Sequence, residues 1–186
     1  MFIQTETTPN PATLKFLPGQ AVLSSGTMDF ARKEEATLSP LVLRLFGLEG
    51  VSRVFLAADY VSVSKAADTD WSVLKPMVLA VLMDHLATGQ PVLDPSFKAK
   101  SAHKEGQEDE ISLQIRELLD TRVRPMVAMD GGDIVFESFE DGIVYLKMRG
   151  ACSGCPSSTA TLKSGIENML RHYIPEVQEV RAVGDH

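Results

Sequence analysis

The chain has 186 residues, of which 44% are apolar and 23% are charged, and its mean hydropathy is near zero. This composition is typical of an ordinary globular protein of one or two domains and excludes collagen-like, silk-like and wholly disordered chains. The net charge of -7 has the wrong sign for a protein whose main task is to bind nucleic acid, so we expect no nucleic-acid partner.

The first residues, MFIQTETTPNP, show neither the apolar stretch of about 7–15 residues of a secretory signal nor an Arg-rich transit pattern. The longest uncharged apolar run, Met77–Met83, is far shorter than the roughly 20 residues of a membrane-spanning helix. We therefore expect a cytoplasmic, bacterial protein without membrane contact, or an organellar matrix protein if a presequence has been removed.

The first half of the chain predicts strands and two helices. Ile3–Thr7 and Thr13–Leu17 are β-type runs on either side of a Pro-Asn-Pro turn and predict a hairpin. Ser39-Pro40 is a helix start signal, followed by leucines at helical spacing. Strands are predicted at Val51–Ala57 and Tyr60–Lys65. The last predicted helix, from Trp71 to Leu86, places these residues on one face: Leu74, Val78, Val81, Leu82 and His85.

The second half predicts the order helix, strand, strand, helix, strand. An amphipathic helix carries Ile111, Ile115, Leu118 and Leu119, and Pro125 kinks or restarts it. Asp130-Gly131-Gly132-Asp133 is predicted as a tight turn. The remaining elements are strands at Ile134–Phe139 and Ile143–Met148 joined through Asp141-Gly142, a helix after Cys155 with Leu162, Ile166, Met169, Leu170 and Tyr173 on one face, and a strand at Val177–Val183.

Between the halves, Pro95–Gln107 holds a single large apolar residue, Phe97, among small, basic and polar residues, as in a flexible linker. The sequence thus predicts two small α+β domains, residues 1–93 and 110–186, joined by a linker at 94–109. The two halves are unlike in pattern, so they are not a duplication.

Cys152 and Cys155 are the only cysteines, and they lie between a predicted strand and a predicted helix. At a helix start, unpaired backbone N–H groups and the positive end of the helix dipole favour thiolates. Pro156 suits the first helical turn, and Gly154 allows backbone N–H groups to point at a bound group. This pattern favours a functional pair over two buried structural thiols.

Three functions remain open on spacing alone. A dithiol oxidoreductase of the thioredoxin type needs further strands after its active-site helix, and the chain is short there. Structural zinc needs four ligands, and no histidine (His85, His103, His172 or His186) has ligand spacing to the pair. An iron-sulfur cluster typically needs four thiolates, which indicates a cluster shared by two chains.

Nearly the whole chain resembles the two-domain form of the Nfu family of iron-sulfur scaffold and carrier proteins. In the second half the resemblance rests on Arg124-Pro125, Asp130-Gly131-Gly132-Asp133, Gly150-Ala151-Cys152, Gly154-Cys155-Pro156-Ser157-Ser158, Thr161-Leu162-Lys163, Glu167 and Pro175-Glu176-Val177. In the first half it rests on Pro9-Asn10-Pro11, Leu14-Lys15-Phe16, Pro18-Gly19, Ser39-Pro40-Leu41, Leu45-Phe46, Gly50-Val51, Val54-Phe55, Trp71, Leu74-Lys75-Pro76 and Gly89-Gln90-Pro91. One departure is Ala57-Ala58-Asp59-Tyr60, where the family usually has Gly-x-Asp-Phe.

The resemblance implies that Cys152 and Cys155 of two subunits bind a [4Fe-4S] cluster, with [2Fe-2S] as the alternative form, at a homodimer interface. It also implies that the cluster arrives from an upstream donor and passes to apo iron-sulfur recipient proteins. We accordingly expect a non-enzymatic carrier. A thiol-disulfide oxidoreductase using the same pair is the alternative, and the first domain is expected to be a partner-docking module.

Other residues receive structural interpretations. Asp130 and Asp133 are expected to form the turn and take no part in catalysis. Arg149 and Lys163 could offset cluster charge, but solvated basic residues are the default. The methionines on helix faces are expected to fill the core, namely Met77, Met83, Met126, Met129 and Met169.

Overall fold

A computed structural model describes residues 2–96, 109–153 and 156–183 of the chain. It divides into two compact units, Met1–Lys100 and Ser101–His186, and both mix helix and sheet, which confirms the predicted α+β class. Most of the predicted linker lies outside the described residues. At its start the Asp94 amide donates to the Leu38 carbonyl at 2.7 Å, so this end is hydrogen-bonded to the first unit. No helix in the described ranges is long and apolar enough to cross a membrane.

The first unit contains a five-stranded antiparallel sheet in the order β1-β2-β5-β4-β3. Its elements are β1 (Gln4–Thr7), β2 (Thr13–Leu17), β3 (Met28–Phe30), a 3-10 turn (Lys33–Ala36), α1 (Pro40–Phe46), β4 (Val51–Leu56), β5 (Val61–Lys65) and α2 (Trp71–Ala87). The predicted hairpin, both helices and the later strand pair are confirmed. β3 was not predicted, because three residues give no periodicity and its pairing with β4 is a tertiary contact.

Helices α1 and α2 supply the other side of the core of the first unit. The Ser39 hydroxyl accepts a hydrogen bond from the Val42 amide at 3.3 Å, and the Asp70 carboxylate accepts one from Ser72 at 2.7 Å, so both helices begin at capping side chains. Strand and helix residues meet in one cluster that includes Phe16, Leu41, Leu45, Val54, Val63, Leu74, Val78 and Leu82. Burial of these apolar side chains stabilises the unit.

The second unit has the predicted order of helix, strand, strand, helix and strand. Its elements are α3 (Glu110–Leu118), a π-helical segment (Leu119–Val123), α4 (Arg124–Met129), β6 (Gly132–Glu140), β7 (Ile143–Gly150), α5 (Pro156–Tyr173) and β8 (Glu179–Val183). β7 lies between β6, which is antiparallel to it, and β8, which is parallel. The parallel pair requires a crossover, and α5 provides it.

Pro125 restarts the first helix of this unit, as the sequence predicts. Proline has no N–H to continue the helix, and just before it the Arg124 amide donates five residues back, to the carbonyl of Leu119. The Asp141-Gly142 hairpin turn is also confirmed, with φ of 51° and 79° as a two-residue turn of this type needs.

The predicted four-residue turn before β6 is shorter than expected. Only Asp130 and Gly131 form it, and Gly131 takes a φ of 78° that favours glycine. Gly132 and Asp133 belong to β6, where they pair with Gly150 and Arg149. The turn therefore ends directly beside the last residues of β7.

Candidate metal centre

Cys152 lies just after β7, at the edge of the hydrophobic core of the second unit. The residue is 7% exposed and packs in the same cluster as Ile134, Met148 and Ile166. The second predicted ligand, Cys155, lies outside the described residues. The structure therefore defines how one of the two thiols is held.

The main chain around Cys152 is fixed from two sides. On the strand side the Ala151 amide donates to the Gly131 carbonyl at 3.2 Å. On the helix side the Thr159 hydroxyl donates to the carbonyl of Cys152 at 3.0 Å. These bonds join the Cys152 loop to the turn before β6 and to α5, so three parts of the unit position the cysteine.

Gly132 gives the Cys152 sulfur the space it occupies. A Cβ added at Gly132 would collide with the sulfur and would lie 2.9 Å from the Arg149 carbonyl oxygen and 3.0 Å from the Cys152 nitrogen. Such contacts are shorter than side chains make, and two of the three obstructing atoms are main-chain atoms that cannot rotate away. A glycine is thus required at position 132, because the Cys152 sulfur and two main-chain atoms lie too close for any side chain.

Burial, with smaller contributions from the carboxylates of Asp130 and Asp133, raises the pKa of the Cys152 thiol to about 12. The sequence-based expectation that this loop favours thiolates is therefore wrong for Cys152. The expectation was based on the dipole of the helix that follows. The burial of the sulfur in the core depends on the tertiary fold and cannot be derived from the local sequence. A thiol of this kind becomes a ligand when a metal ion displaces its proton.

Asp133 is an ion-pair residue as well as part of the strand. Its two carboxylate oxygens accept hydrogen bonds from Arg124 at 2.9 and 3.0 Å, and one oxygen also accepts from the Ile134 amide at 2.8 Å. Arg124 donates to Asp120 at 3.2 Å as well, and these bonds raise the pKa of its guanidinium, with Asp133 the largest cause. The Arg124–Asp133 pair ties α4 to β6.

Sequence reasoning missed the roles of Gly132, Arg124 and Thr159. Gly132 and Arg124 belong to motifs quoted for the family resemblance, but only the fold shows what they touch. Arg124 and Asp133 are nine residues apart on different elements, so no helical or strand periodicity links them.

The other predicted positions bear less directly on the sulfur. The pKa of Cys152 is set by burial and by the charges of Asp130 and Asp133. The charge of Lys163 acts instead on Glu179, whose pKa is lowered chiefly by its hydrogen bond to Arg181. Within the described ranges no group of three His, Cys, Asp or Glu side chains is placed to hold a metal ion. His103 and His186 lie outside those ranges.

The expectation that the methionines fill the core is wrong for four of the five. Met77 and Met83 on α2 are 41% and 43% exposed, and Met126 and Met129 on α4 are 65% and 75% exposed. Only Met169 packs against the core of its unit. Helical spacing of methionines does not reveal which face of a helix the rest of the fold covers.

Comparison with known proteins agrees with this two-unit architecture. The family described as "Scaffold protein Nfu/NifU N terminal" matches residues 3–89, and the family described as "NifU-like domain" matches residues 115–181. The chain belongs to the Nfu family, with one of these domains in each unit.

Several similar proteins carry the name "NFU1 iron-sulfur cluster scaffold homolog, mitochondrial". The human protein is 50% identical over 186 residues, which is all of this chain and 73% of that protein. The proteins of Drosophila ananassae and Drosophila persimilis are 53% and 52% identical over all of this chain, which spans 65% and 66% of their lengths. This chain thus corresponds to somewhat less than two thirds of the two Drosophila proteins.

Among solved structures, a NifU-like protein from Saccharomyces cerevisiae is 26% identical, with a TM-score of 0.47. The match covers 51% of this chain and 86% of the yeast chain.

Proposed function

We propose that this chain is an iron-sulfur cluster scaffold and carrier in which Cys152 and Cys155 of two copies hold a [4Fe-4S] cluster. The observation that carries the proposal is the way in which Cys152 is positioned. Hydrogen bonds from the turn before β6 and from α5 hold its loop, and the absence of a side chain at Gly132 leaves room for its sulfur. Membership of the Nfu family and the names of the relatives support it. The cluster is cargo, and the chain itself is not an enzyme.

Donor number supports a cluster shared by two copies. The chain contains two cysteines, whereas iron-sulfur clusters are typically held by four thiolates. A single copy would leave a four-iron cluster half-ligated. Binding free energy is then also association free energy, so cluster loading and dimer formation should rise together.

The alternative, a thiol-disulfide oxidoreductase, is disfavoured by the environment of Cys152. The attacking species in disulfide exchange is the thiolate, and reactive cysteines lie in exposed, electropositive surroundings. Cys152 is buried, its pKa is raised to about 12, and the charged groups that shift this pKa are carboxylates. These features suit a ligand better than a nucleophile.

We infer that the first unit is a docking module for proteins that donate or receive the cluster. Its residues supply no cysteine, so its contribution is to raise the local concentration of a partner near the cluster. The partners are an upstream donor and apo iron-sulfur proteins, and the working boundaries are 1–93 and 110–186 with a linker at 94–109. The relatives' mitochondrial names favour the organellar matrix over the bacterial cytoplasm as the compartment.

Anaerobic reconstitution of the full chain with ferrous iron and sulfide tests the cluster. We expect a brown product with about four irons per dimer, seen by iron and sulfide analysis alongside sedimentation. Zinc binding without sulfide, or disulfide turnover without metal, would support the zinc site or the oxidoreductase instead. A monomer that holds the full iron load would contradict a cluster shared by two copies.

A truncation tests the division between the units. Residues 108–186 should fold alone and hold the same iron per dimer as the full chain. Transfer to a panel of apo-proteins, at equal concentration of loaded dimer, should be slower or less selective. Equal rates for every recipient would remove the docking role, and a fragment unable to hold iron would show that the boundary is misplaced.

A further inference from the structure

The end of α4 presents an apolar surface to solvent. Met126 and Met129 are 65% and 75% exposed and lie three residues apart, so they share one face of the helix, and the exposed Pro125 precedes them. These are the two most exposed large apolar residues among the described residues of the second unit. We call Pro125, Met126 and Met129 the α4 surface.

The α4 surface borders the candidate metal centre. Met129 is three residues before Gly132, so their Cα atoms are at most about 11 Å apart. Gly132 abuts the Cys152 sulfur, and the intervening Gly131 accepts a hydrogen bond from Ala151 at 3.2 Å. The α4 surface is therefore joined by a short stretch of chain to the two glycines that contact the Cys152 loop.

The donor count of the site indicates which protein would cover this surface. One chain supplies two of the four thiolates that a cluster needs, so the site is incomplete without a second copy. The second copy must bring its own cysteine loop to this one, and the surfaces beside the two loops must then face each other. Two chains of net charge -7 repel one another, and an uncharged contact adds attraction without adding to that repulsion.

Methionine suits such a contact. It is enriched in protein interfaces, and its flexible thioether adapts to an opposing surface that is an identical copy. In a two-fold interface the same patch lies on both subunits and must be compatible with itself, which an apolar patch is and a singly charged patch is not.

We propose that the α4 surface packs against a second copy of this chain and closes the interface that holds the cluster. This inference rests on the proposed function and adds to it the residues through which the two copies meet. It assigns the exposed methionines a role in assembly, whereas Gly132, Arg124 and Thr159 position Cys152 within each copy.

A double substitution in the full chain, Met126→Glu with Met129→Glu, tests the inference. The control is Leu113→Glu, which is 53% exposed and lies on a different helix, α3, separated from α4 by the π-helical segment. After reconstitution, sedimentation over a range of concentrations gives the dimer dissociation constant. We expect the double variant to raise it about tenfold or more and to lose iron in parallel, while the control matches the unsubstituted chain.

Two further variants guard against an effect on folding. Met126→Leu with Met129→Leu keeps the surface apolar and should retain the dimer, whereas Met126→Gln with Met129→Gln should weaken it in the same direction as glutamate. All variants should keep the far-UV circular dichroism of the original chain, because the substituted side chains are exposed.

The outcomes separate this inference from the proposed function. If the unsubstituted chain holds no iron, the proposed function fails first. If it forms a loaded dimer and the glutamate variant forms the same dimer with the same iron, the α4 surface is not the interface. A glutamate variant that keeps the dimer but transfers its cluster more slowly would also overturn the inference, because the surface would then serve recipients.

Discussion

The two units differ in what their buried polar groups do. In the first unit these groups are dispersed: Lys15 lies 3.4 Å from Glu6 and over the ring of Tyr60, while His85 is enclosed on α2. In the second unit buried Asp133 lies among the groups that act on Cys152, while buried Ser112 lies on α3. The second unit thus places a buried charged group near its candidate sulfur ligand, whereas Lys15 and His85 of the first unit lie on separate elements, β2 and α2.

This difference predicts how each unit responds to substitution. Around Cys152 the same contacts hold the fold and position the thiol, so changes there should affect stability and metal binding together. In the first unit comparable changes should affect stability alone. Paired substitutions can test this contrast.

Replacement of the sulfur ligand should have the largest effect. Cys152→Ser should abolish iron binding and should also destabilise the second unit by about 1–3 kcal/mol, since a hydroxyl replaces a buried thiol without an assigned partner. Cys152→Ala should lose iron equally but fold better than the serine variant. Iron analysis and thermal melting measure the two effects, and half-loading of either variant would contradict the assigned ligand role.

The next effect compares two glycines of the second unit. Gly132→Ala should cost about 1–3 kcal/mol and reduce iron loading, because its Cβ would push against Cys152 and two main-chain atoms. Gly165→Ala on α5 meets nothing within 4 Å and should stabilise the unit by about 0.5–1 kcal/mol without changing iron content. Chemical denaturation read by circular dichroism, with iron analysis, checks both. Equal effects of the two substitutions would show that close approach at Gly132 does not matter.

A smaller effect separates two ion pairs, one in each unit. Arg124→Gln leaves the nearly buried Asp133 carboxylate without its two-bond partner and should cost about 1.5–3 kcal/mol. Arg44→Gln in the first unit breaks a pair with Asp84 in which both side chains are exposed, and should cost no more than about 1 kcal/mol. Only the Arg124 variant should lower iron loading. If the two substitutions lower the free energy of unfolding by similar amounts, the Arg124–Asp133 pair has no special role in holding the candidate metal centre.

Local chemistry explains which features could be predicted from sequence. Ser39-Pro40 begins α1, and Asp141-Gly142 turns the β6–β7 hairpin, because capping and positive φ depend on the residues themselves. The cysteine pair could be identified for the same reason, because both cysteines and the glycine and proline beside them lie in one short stretch of the chain.

Tertiary contacts explain what could not be predicted. The collision that excludes a side chain at Gly132 involves Cys152 and Arg149, which come to it only through the β6–β7 pairing. The raised pKa of Cys152 arises chiefly from burial, and burial cannot be predicted from the residues next to the cysteine in the chain. The exposure of Met126 and Met129 depends on which side of α4 the sheet covers, and an apolar residue at helical spacing gives the same pattern on either side.

The smallest predicted effect concerns pH and belongs to the first unit. His85 is fully buried, and neither ring nitrogen makes a hydrogen bond of normal geometry with the described residues, although the main chain of Pro91 and Gln90 lies close enough to act on its pKa. Burial lowers its pKa below the usual 6.5, and the charge of Arg44 lowers it further. The carbonyls of Pro91 and Gln90 and the carboxylate of Asp84 oppose the shift without reversing it.

The sign of the pH effect follows from proton binding. Because the pKa of His85 is lower in the folded unit, the unfolded chain binds more proton at this histidine below about pH 6.5, so the free energy of unfolding falls as the pH drops. Trp71, the only tryptophan, lies in the first unit and reports its unfolding by fluorescence in the full chain. The first unit should therefore melt at a lower temperature at about pH 5.5 than at about pH 7.5.

His85→Phe isolates the contribution of the histidine. It keeps a ring in the site and removes both nitrogens, so it should be close to neutral in stability at neutral pH and should flatten the change on acidification. His172→Gln, on the exposed end of α5 in the other unit, should leave the Trp71 transition unchanged at both pH values. If the His85→Phe chain loses as much stability on acidification as the original chain, titration of the buried imidazole does not destabilise the first unit. The pH response then arises from carboxylates elsewhere.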